Sequence, residues 1–186
     1  MKIHLGCGNV RIPGFINIDL TQSEAVDLQS DIRYLSSFSP NSVDLIYACN
    51  VLEHFKLYEI RAVLKRWRSL LKDDGILRVS VPDLEALFKY YVKTKDLNGI
   101  YPSLFSCQGK PFSFHYWGWD FKTLKSDLEE IGFKNIRKYD RTKTEHANVR
   151  DWSTNFIPRF DKKGYVLPDR KWFKGINIAL NVEASK

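Results

Sequence analysis

The N-terminal stretch Met1–Leu20, MKIHLGCGNVRIPGFINIDL, joins a short apolar strand to a glycine turn and then to a second strand that ends in an acid. Gly6 and Gly8 let the backbone approach a ligand closely. Asp19 stands at the tip of the second strand, where an acid can accept hydrogen bonds from ribose hydroxyls. The order strand, GxG, strand and acid therefore predicts a nucleotide-type site at the carboxyl edge of a parallel sheet. The two predicted strands are Ile3–Leu5 and Phe15–Ile18.

The spacing of these residues differs from the dinucleotide-binding fingerprint, which needs G-x-G-x-x-G and an acid about 20 residues later. Arg11 stands in the place of the third glycine, and Asp19 follows Gly8 much sooner than the fingerprint requires. A helix of ordinary length, whose N-terminus would hold a diphosphate, does not fit in this gap. The ligand is therefore expected to carry a ribose without a diphosphate, and S-adenosylmethionine fits that description.

At these motifs the chain resembles the class I S-adenosylmethionine-dependent methyltransferases, and the resemblance covers most of its length. HLGCGN resembles the first family motif, and the small bacterial members with LEHF-type endings of the fourth strand, often linked to glycans, are the most similar. DIRYLSSFSPNSVDLIYACNVLEHF resembles the adenine-side acid and the fourth strand, and LLKDDGILRVSVPDL resembles the helix end, turn and fifth strand that follow. The resemblance implies an α/β, Rossmann-like fold with a seven-stranded, mainly parallel sheet and an antiparallel last strand. The short first crossover departs from the family pattern, so no regular helix is expected there.

The resemblance also implies which residues bind S-adenosylmethionine and its product, S-adenosylhomocysteine. Asp19 would bind the ribose hydroxyls, and Leu20 would lean on the adenine. Asp31 with Ile32 would face the adenine amino group and ring, although an acid in this loop could instead cap a turn. Cys49 would approach the sulfonium, although a buried cysteine is also an ordinary small core residue. The predicted cofactor-binding residues are Leu5, Gly6, Cys7, Gly8, Asn9, Asp19, Leu20, Asp31, Ile32, Cys49 and Asn50.

Methylation of a sugar hydroxyl would need a positioned base, and histidine is the usual side chain for this role. His115 lies in the aromatic segment FSFHYWGWD, where the family also has a histidine before a helix start, and it is the predicted base. The alternative is that His115 is a loop histidine without a catalytic role. His54 and Asp83 are the next candidates. His4 is expected to be structural, and the sequence does not place His146.

The acceptor is expected to be a sugar-like and anionic molecule. Tyr116, Trp117 and Trp119 suit stacking on sugar faces, although they could also pack in a lid or stack on nucleobases. The net charge of +7 is uneven: residues 1–54 carry three Lys/Arg against six Asp/Glu, and residues 101–186 carry sixteen against ten. The basic half is either a solvated face or a surface for a nucleotide sugar, a phosphorylated glycan or a nucleic acid.

Length and composition predict one soluble domain spanning residues 1–186. Aromatic and basic insertions at about 99–119 and 140–175 are expected to form its substrate side. No apolar run approaches the ~20 residues of a membrane span, and the first strand starts too near Met1 for a signal peptide. Three widely spaced cysteines predict neither a disulfide framework nor a metal site, and they favour a cytoplasmic location.

Periodicity and turn residues predict the remaining elements. A turn at Asp73–Gly75 separates a helix from the fifth strand, and Gly132 is expected to end a later helix. A loop is predicted over 99–118. The predicted helices cover 57–71, 83–98 and 121–131; the predicted strands cover 43–49, 76–81, 133–139 and 176–182, the last two paired antiparallel.

The predicted activity is methyl transfer from S-adenosylmethionine (EC 2.1.1.-) to an oxygen of a sugar, nucleotide sugar or glycan. RNA is an alternative acceptor, because basic charge with exposed aromatic side chains suits RNA equally well. A binding module with the same fold and no turnover is a second alternative, favoured by the absence of a leading helix. The sequence identifies neither the acceptor nor the oligomeric state.

Overall fold

The computed structural model of the protein describes residues 1–106, 113–157 and 175–186. A seven-stranded sheet in the order β3-β2-β1-β4-β5-β9-β6 forms its centre. Its strands are parallel except β9, which runs antiparallel to both β5 and β6. This is the predicted fold. The strands are β1 Lys2–Leu5, β2 Ile16–Asp19, β3 Leu28–Gln29, β4 Val43–Cys49, β5 Leu71–Pro82, β6 Lys134–Lys138, β7 Phe156–Ile157, β8 Ile176–Asn177 and β9 Ala179–Ser185; the helices are α1 Leu57–Leu70, α2 Leu84–Thr94, α3 Leu97–Phe105 and α4 Phe121–Ile131.

The core lies between the central strands and helices α1 and α4. Central strand residues such as Ile46 and Val79 are completely buried, as parallel strands covered by helices require. Trp67 of α1 is also completely buried, and its indole N–H donates to the Ile32 carbonyl at 2.8 Å. The apolar stripe of α1 is therefore core, as its helical spacing predicts. In the described part of the chain, no helix has both the length and the apolarity needed to cross a membrane.

The connection between β1 and β2 contains no helix, as its length predicts. Asn17, which is completely buried in β2, holds this connection in place. Its side-chain amide donates to the carbonyls of Ile12 and Phe15, and its side-chain oxygen accepts the Ile12 N–H at 2.9 Å. These bonds satisfy the backbone of an irregular loop that would otherwise leave buried polar groups unpaired.

The predicted turn at Asp73–Gly75 is instead a register shift within one long strand. Helix α1 ends at Leu70, and β5 begins at Leu71, which pairs with Val43 of β4. Pairing resumes between Leu45 and Ile76, so the intervening residues of β5 bulge from the ladder. Leu71 is completely buried, and this burial explains why the strand begins before the polar segment.

The helix predicted over 83–98 is divided into α2 and the start of α3. The loop predicted over 99–118 begins only after α3 ends at Phe105. Lys95 has a left-handed φ of 56°, which ends α2. Asp96 then caps α3 by accepting the Gly99 N–H at 2.9 Å, and it also accepts the Tyr90 hydroxyl at 2.8 Å. A well-bonded N-cap therefore decides the local structure in a segment that contains helix breakers.

The last predicted strand, 176–182, is also divided. Ile176–Asn177 pairs with Phe156–Ile157 in a separate two-stranded sheet, and β9 alone joins the main sheet. Between them, the Ile178 N–H donates to the Asn155 carbonyl and the Ile178 carbonyl accepts the Asp83 N–H, both at 2.8 Å. These bonds tie residues 155–157 to the start of α2.

Candidate active site

Two adjoining cavities open at the carboxyl ends of the parallel strands, where ligands bind in sheets of this type. The first has a volume of about 460 Å³ and the second about 490 Å³. Gly6 after β1, Asn50 after β4 and His54 line both of them, so the two cavities meet at the centre of this edge. Their combined position is the one that the strand, glycine turn and acid predict.

The glycine turn and Asp19 form one hydrogen-bonded unit. Gly6 and Gly8 have left-handed φ angles of 64° and 54°, which glycine adopts most readily. A Cβ on Gly6 would lie only 2.4 Å from a methyl group of Val51. The Asp19 carboxylate accepts the N–H groups of Gly8 and Thr21, both at 2.8 Å. A carboxylate offers about four acceptor positions, so Asp19 keeps acceptor capacity toward the first cavity.

Asp31 lines the same cavity, together with its hydrogen-bond partner Arg33. Arg33 Nε lies 3.0 Å from both carboxylate oxygens of Asp31, and Nη1 donates to Glu59 Oε1 at 3.2 Å. The hydrogen bonds from Arg33 lower the pKa of Asp31. Asp31 also accepts the Arg33 N–H at 2.9 Å, so it caps the turn that follows β3. Both interpretations of Asp31 from the sequence therefore have a structural counterpart.

A buried cluster of one carboxylate and two imidazoles lies beside the second cavity. Glu53 is completely buried, and neither of its carboxylate oxygens has a hydrogen-bond partner among the described residues. Burial raises the pKa of Glu53 to about 8. His54 Nδ1 is 2.9 Å from the Phe114 carbonyl oxygen, and His115 Nδ1 is 2.9 Å from that of Ser103. Burial lowers the pKa of both histidines, that of His115 to about 4, so both are neutral near pH 7.

Comparison with known proteins relates the chain to methyltransferases. Residues 4–79 match the model of a family described as a methyltransferase domain. A SAM-dependent methyltransferase from Archaeoglobus fulgidus is similar in fold, with a TM-score of 0.56 and 15% identity over 100% of this chain and 85% of that one. So is a 1,6-didemethyltoxoflavin-N1-methyltransferase from Burkholderia thailandensis, solved with bound 1,6-didemethyltoxoflavin and S-adenosylhomocysteine, with a TM-score of 0.57 and 15% identity over 100% of this chain and 70% of that one. No curated protein matches the chain in sequence.

The chain is similar over residues 4–79 to the methyltransferase-domain family, and over its whole length it has the fold of S-adenosylmethionine-dependent methyltransferases. Its cofactor is S-adenosylmethionine, as the stretch Met1–Leu20 predicts. The matched residues end within β5, so they cover the glycine turn, Asp19, Asp31 and the end of β4. Six of the fourteen residues that line the second cavity lie beyond the match: Pro102, Ser103, Ser106, His115, Trp152 and Asn155.

Ten of the eleven predicted cofactor residues line at least one of the two cavities, and their roles remain predictions. The exception is Leu5, which is completely buried in the core. Burial raises the pKa of the Cys7 thiol to about 11, and it also raises that of Cys49, so both behave as small apolar groups at neutral pH. The first cavity is lined by Gly6, Asp19, Leu20, Asp31, Ile32 and Asn50. The second is lined by Gly6, Cys7, Gly8, Asn9, Cys49 and Asn50.

The candidates for the acceptor side are only partly brought together. His115 and His54 lie side by side, with ring centroids 4.8 Å apart. Asp83 lines neither cavity; it is the N-cap of α2 and accepts the Ala86 N–H at 3.2 Å. Its position one residue before a helix, a typical N-cap signal, explains this different role.

The three aromatic residues predicted to bind the substrate lie in different environments in the structure. Trp119 is buried in the core, and its indole N–H donates to Asp127 at 2.7 Å, so the prediction for Trp119 was wrong. Trp117 is 42% exposed and lines neither cavity. Tyr116 lines the first cavity, and its N–H donates to the Glu53 carbonyl at 2.7 Å.

The other two histidines are both buried against Tyr47 of β4. His4 bonds to Asn17 and stacks on Tyr47, as the structural prediction requires, although it also reaches the second cavity. His146, which the sequence did not place, packs against Tyr47 and Phe15, with ring centroids 4.3 and 5.8 Å away. Burial lowers the pKa of His146 to about 4.

Sequence reasoning missed Glu53 and Arg33 as site residues. Glu53 stands in the LEHF motif, but its burial depends on the short 3-10 turn after β4. Arg33 follows Asp31 by two positions, a spacing common in loops, so only its contacts with Asp31 and Glu59 reveal it. Cys107 and the aromatic residues Phe160, Tyr165, Trp172 and Phe173 of the predicted insertions lie outside the described residues.

Proposed function

We propose that this methyltransferase transfers a methyl group to a hydroxyl oxygen of a sugar, nucleotide-sugar or glycan acceptor in the second cavity. The observation that carries the proposal is the pair of adjoining cavities that share Gly6, Asn50 and His54. The first is lined by Asp19, which suits a ribose, and the second is lined by the glycine turn and by His54 and His115. A volume of about 490 Å³ falls in the ordinary range for small-molecule sites.

In this proposal, the first cavity holds the adenosine part of S-adenosylmethionine. Asp19 accepts the ribose hydroxyls as charge-assisted bonds, and Leu20 and Ile32 contact the adenine. The Asp31–Arg33 pair bounds the cavity where the adenine lies. Because Arg33 already binds the Asp31 carboxylate, the pair presents a fixed polar surface to the adenine. The bound cofactor supplies an activated methyl group on a sulfonium, so the protein's task is to position the acceptor and to exclude water.

The acceptor side in this proposal is built from the described residues of the segments at about 99–119 and 140–175. Pro102 and Ser103 of α3, His115, and Trp152 and Asn155 line the second cavity. His54 and His115 activate the acceptor hydroxyl, because His54 lines both cavities and His115 lines the second beside it. Trp152 is half exposed and offers an aromatic face for a sugar ring.

The test is a screen for turnover with S-adenosylmethionine and three acceptor panels: nucleotide sugars, oligosaccharides and short RNAs. Mass spectrometry should show one added methyl group on a sugar-bearing acceptor, together with S-adenosylhomocysteine. The Asp19→Asn variant serves as the control for cofactor-dependent signal. Methylation confined to RNA, with affinity that falls steeply between low and physiological salt, would replace the sugar acceptor by RNA.

A further inference from the structure

The Glu53 side chain is the least explained polar group in the described part of the chain. It is completely buried, and both carboxylate oxygens lack hydrogen-bond partners there. An unpaired buried carboxylate is costly, and folded proteins normally pair such groups with other charges or with metal ions. Glu53 lines neither cavity itself, but it lies beside His54, which lines both, and His115, which lines the second.

The two neighbouring histidines are oriented as metal ligands are. A backbone carbonyl can only accept a hydrogen bond, so His54 Nδ1 and His115 Nδ1 carry the protons that they donate to Phe114 and Ser103. The Nε2 atom of each ring therefore keeps its lone pair. Histidines that bind metals typically donate the other ring N–H to a carbonyl or carboxylate, which fixes the tautomer and the ring orientation.

The possible ligand atoms of the three side chains lie close together. His115 Nε2 is 3.9 Å from Glu53 Oε1, and one ligand atom from each of Glu53, His54 and His115 lies within 4.8 Å of the others. Ligands about 2.1 Å from a common ion stand roughly 3.0–3.4 Å apart. Closure around an ion thus requires movements of about 1 Å, which side-chain rotation can supply.

We propose that Glu53, His54 and His115 bind a divalent transition-metal ion at the junction of the cofactor and acceptor cavities. Two imidazole nitrogens and one carboxylate suit Zn²⁺, Co²⁺ or Mn²⁺, whereas Mg²⁺ and Ca²⁺ prefer oxygen ligands. Three protein ligands leave coordination positions open for a substrate atom, as in catalytic metal sites. Bound to the ion, Glu53 would be an ionised carboxylate whose negative charge the ion neutralises.

The role of this ion in catalysis rests on the proposed function, whereas the binding site rests only on the three side chains. An ion at this site would hold the acceptor oxygen and lower the pKa of its hydroxyl. The hydroxyl proton then leaves to solvent, and the oxygen forms a bond to the methyl carbon as the S–CH₃ bond breaks. The electron pair of that bond stays on sulfur, which leaves neutral S-adenosylhomocysteine. His115 is then a ligand instead of the general base that the sequence predicts.

The direct test measures metal binding without turnover. Tag-free protein is treated with a chelator, exchanged into clean buffer and titrated with CoCl₂, and the visible absorption of Co²⁺ and the heat of ZnCl₂ binding are recorded. We expect one ion per chain and a Co²⁺ spectrum typical of nitrogen and oxygen ligands. Glu53→Gln, His54→Asn and His115→Asn should each weaken binding at least tenfold. His146→Asn, which removes a buried histidine outside the cluster, should leave it unchanged.

Folding and cofactor binding are checked separately in each variant by titration with S-adenosylhomocysteine. Asp19→Asn should lose affinity for that ligand and retain Co²⁺ binding, so failure of one proposal is distinguishable from failure of the other. Absence of Co²⁺ binding to the wild-type protein, or equal binding by all three ligand variants, overturns the metal site. A full methylation rate in metal-free protein that is lost in His115→Asn would restore His115 as a general base and overturn the catalytic role of the ion.

Discussion

Replacement of Asp19 by asparagine should weaken S-adenosylhomocysteine binding by about 10–150-fold. The carboxylate now accepts two backbone N–H groups, from Gly8 and Thr21, each at 2.8 Å. Loss of a charge-assisted hydrogen bond to the ribose costs about 1.5–3 kcal/mol, and each 1.4 kcal/mol is about tenfold in affinity. The amide has one acceptor oxygen, so one backbone bond is also lost, at a cost of about 1 kcal/mol in the free energy of unfolding.

Isothermal titration calorimetry measures the affinity, and urea denaturation measures the stability of the same samples. Asp44→Asn is the matched control because it removes the same charge near the start of β4, at the opposite end of the strand from the cavities. Asp44 is exposed and bonds to the N-terminal amino group and to Lys72. Equal affinities of the Asp19→Asn and Asp44→Asn variants would show that Asp19 does not bind the ribose.

Three further predictions concern the glycine turn, a buried histidine and the aromatic residues. Gly6→Ala should lower the free energy of unfolding by about 2–4 kcal/mol, because the new methyl group strains a left-handed backbone and clashes with Val51. Gly8→Ala should lower it by only about 1–2 kcal/mol, because its methyl group meets no atom within 4 Å. Equal losses of stability in urea denaturation would contradict this difference. Between pH 7 and pH 5 the unfolded chain takes up a proton on His146 that the folded protein, with a pKa of about 4, does not, so stability should fall by about 2 kcal/mol more in the wild type than in His146→Asn. Parallel curves of stability against pH for the two proteins would refute this assignment. Trp119→Ala should lower the free energy of unfolding by about 3–5 kcal/mol, and Trp117→Ala should change it by less than about 0.5 kcal/mol. A similarly small effect of Trp119→Ala would show that Trp119 is not a core residue.

Local patterns in the sequence predicted much of the fold correctly. Strand β4 and helix α4 have the predicted bounds, and Gly132 ends α4 with a left-handed φ of 97°. The glycine turn and Asp19 lie at the carboxyl edge of the sheet, where the N-terminal motif places them. Each of these features depends on a few neighbouring residues, such as a run of apolar side chains or a glycine after a helix, so the sequence contains the deciding interactions.

Other local features depended on contacts that the sequence does not show. The division of the helix at Lys95 depends on the cap formed by Asp96, and the start of β5 depends on the pairing of Leu71 with Val43. Trp119 and Trp117 differ by two positions and have similar chemistry. Only packing distinguishes them, because one reaches Asp127 and the core whereas the other faces solvent.

The sequence alone determined the Rossmann-like fold, the cofactor and the edge of the sheet at which the glycine turn and Asp19 lie, because strand, turn and acid follow each other between Met1 and Leu20. Only the tertiary structure brought Glu53 and His54 to His115, which is distant in the chain. Their meeting depends on the segment after α3, whose Phe114 carbonyl orients His54, and on α3 itself, whose Ser103 carbonyl orients His115. A cluster of side chains from the end of one strand and from a remote loop has no fixed separation along the chain, so no sequence motif predicts it.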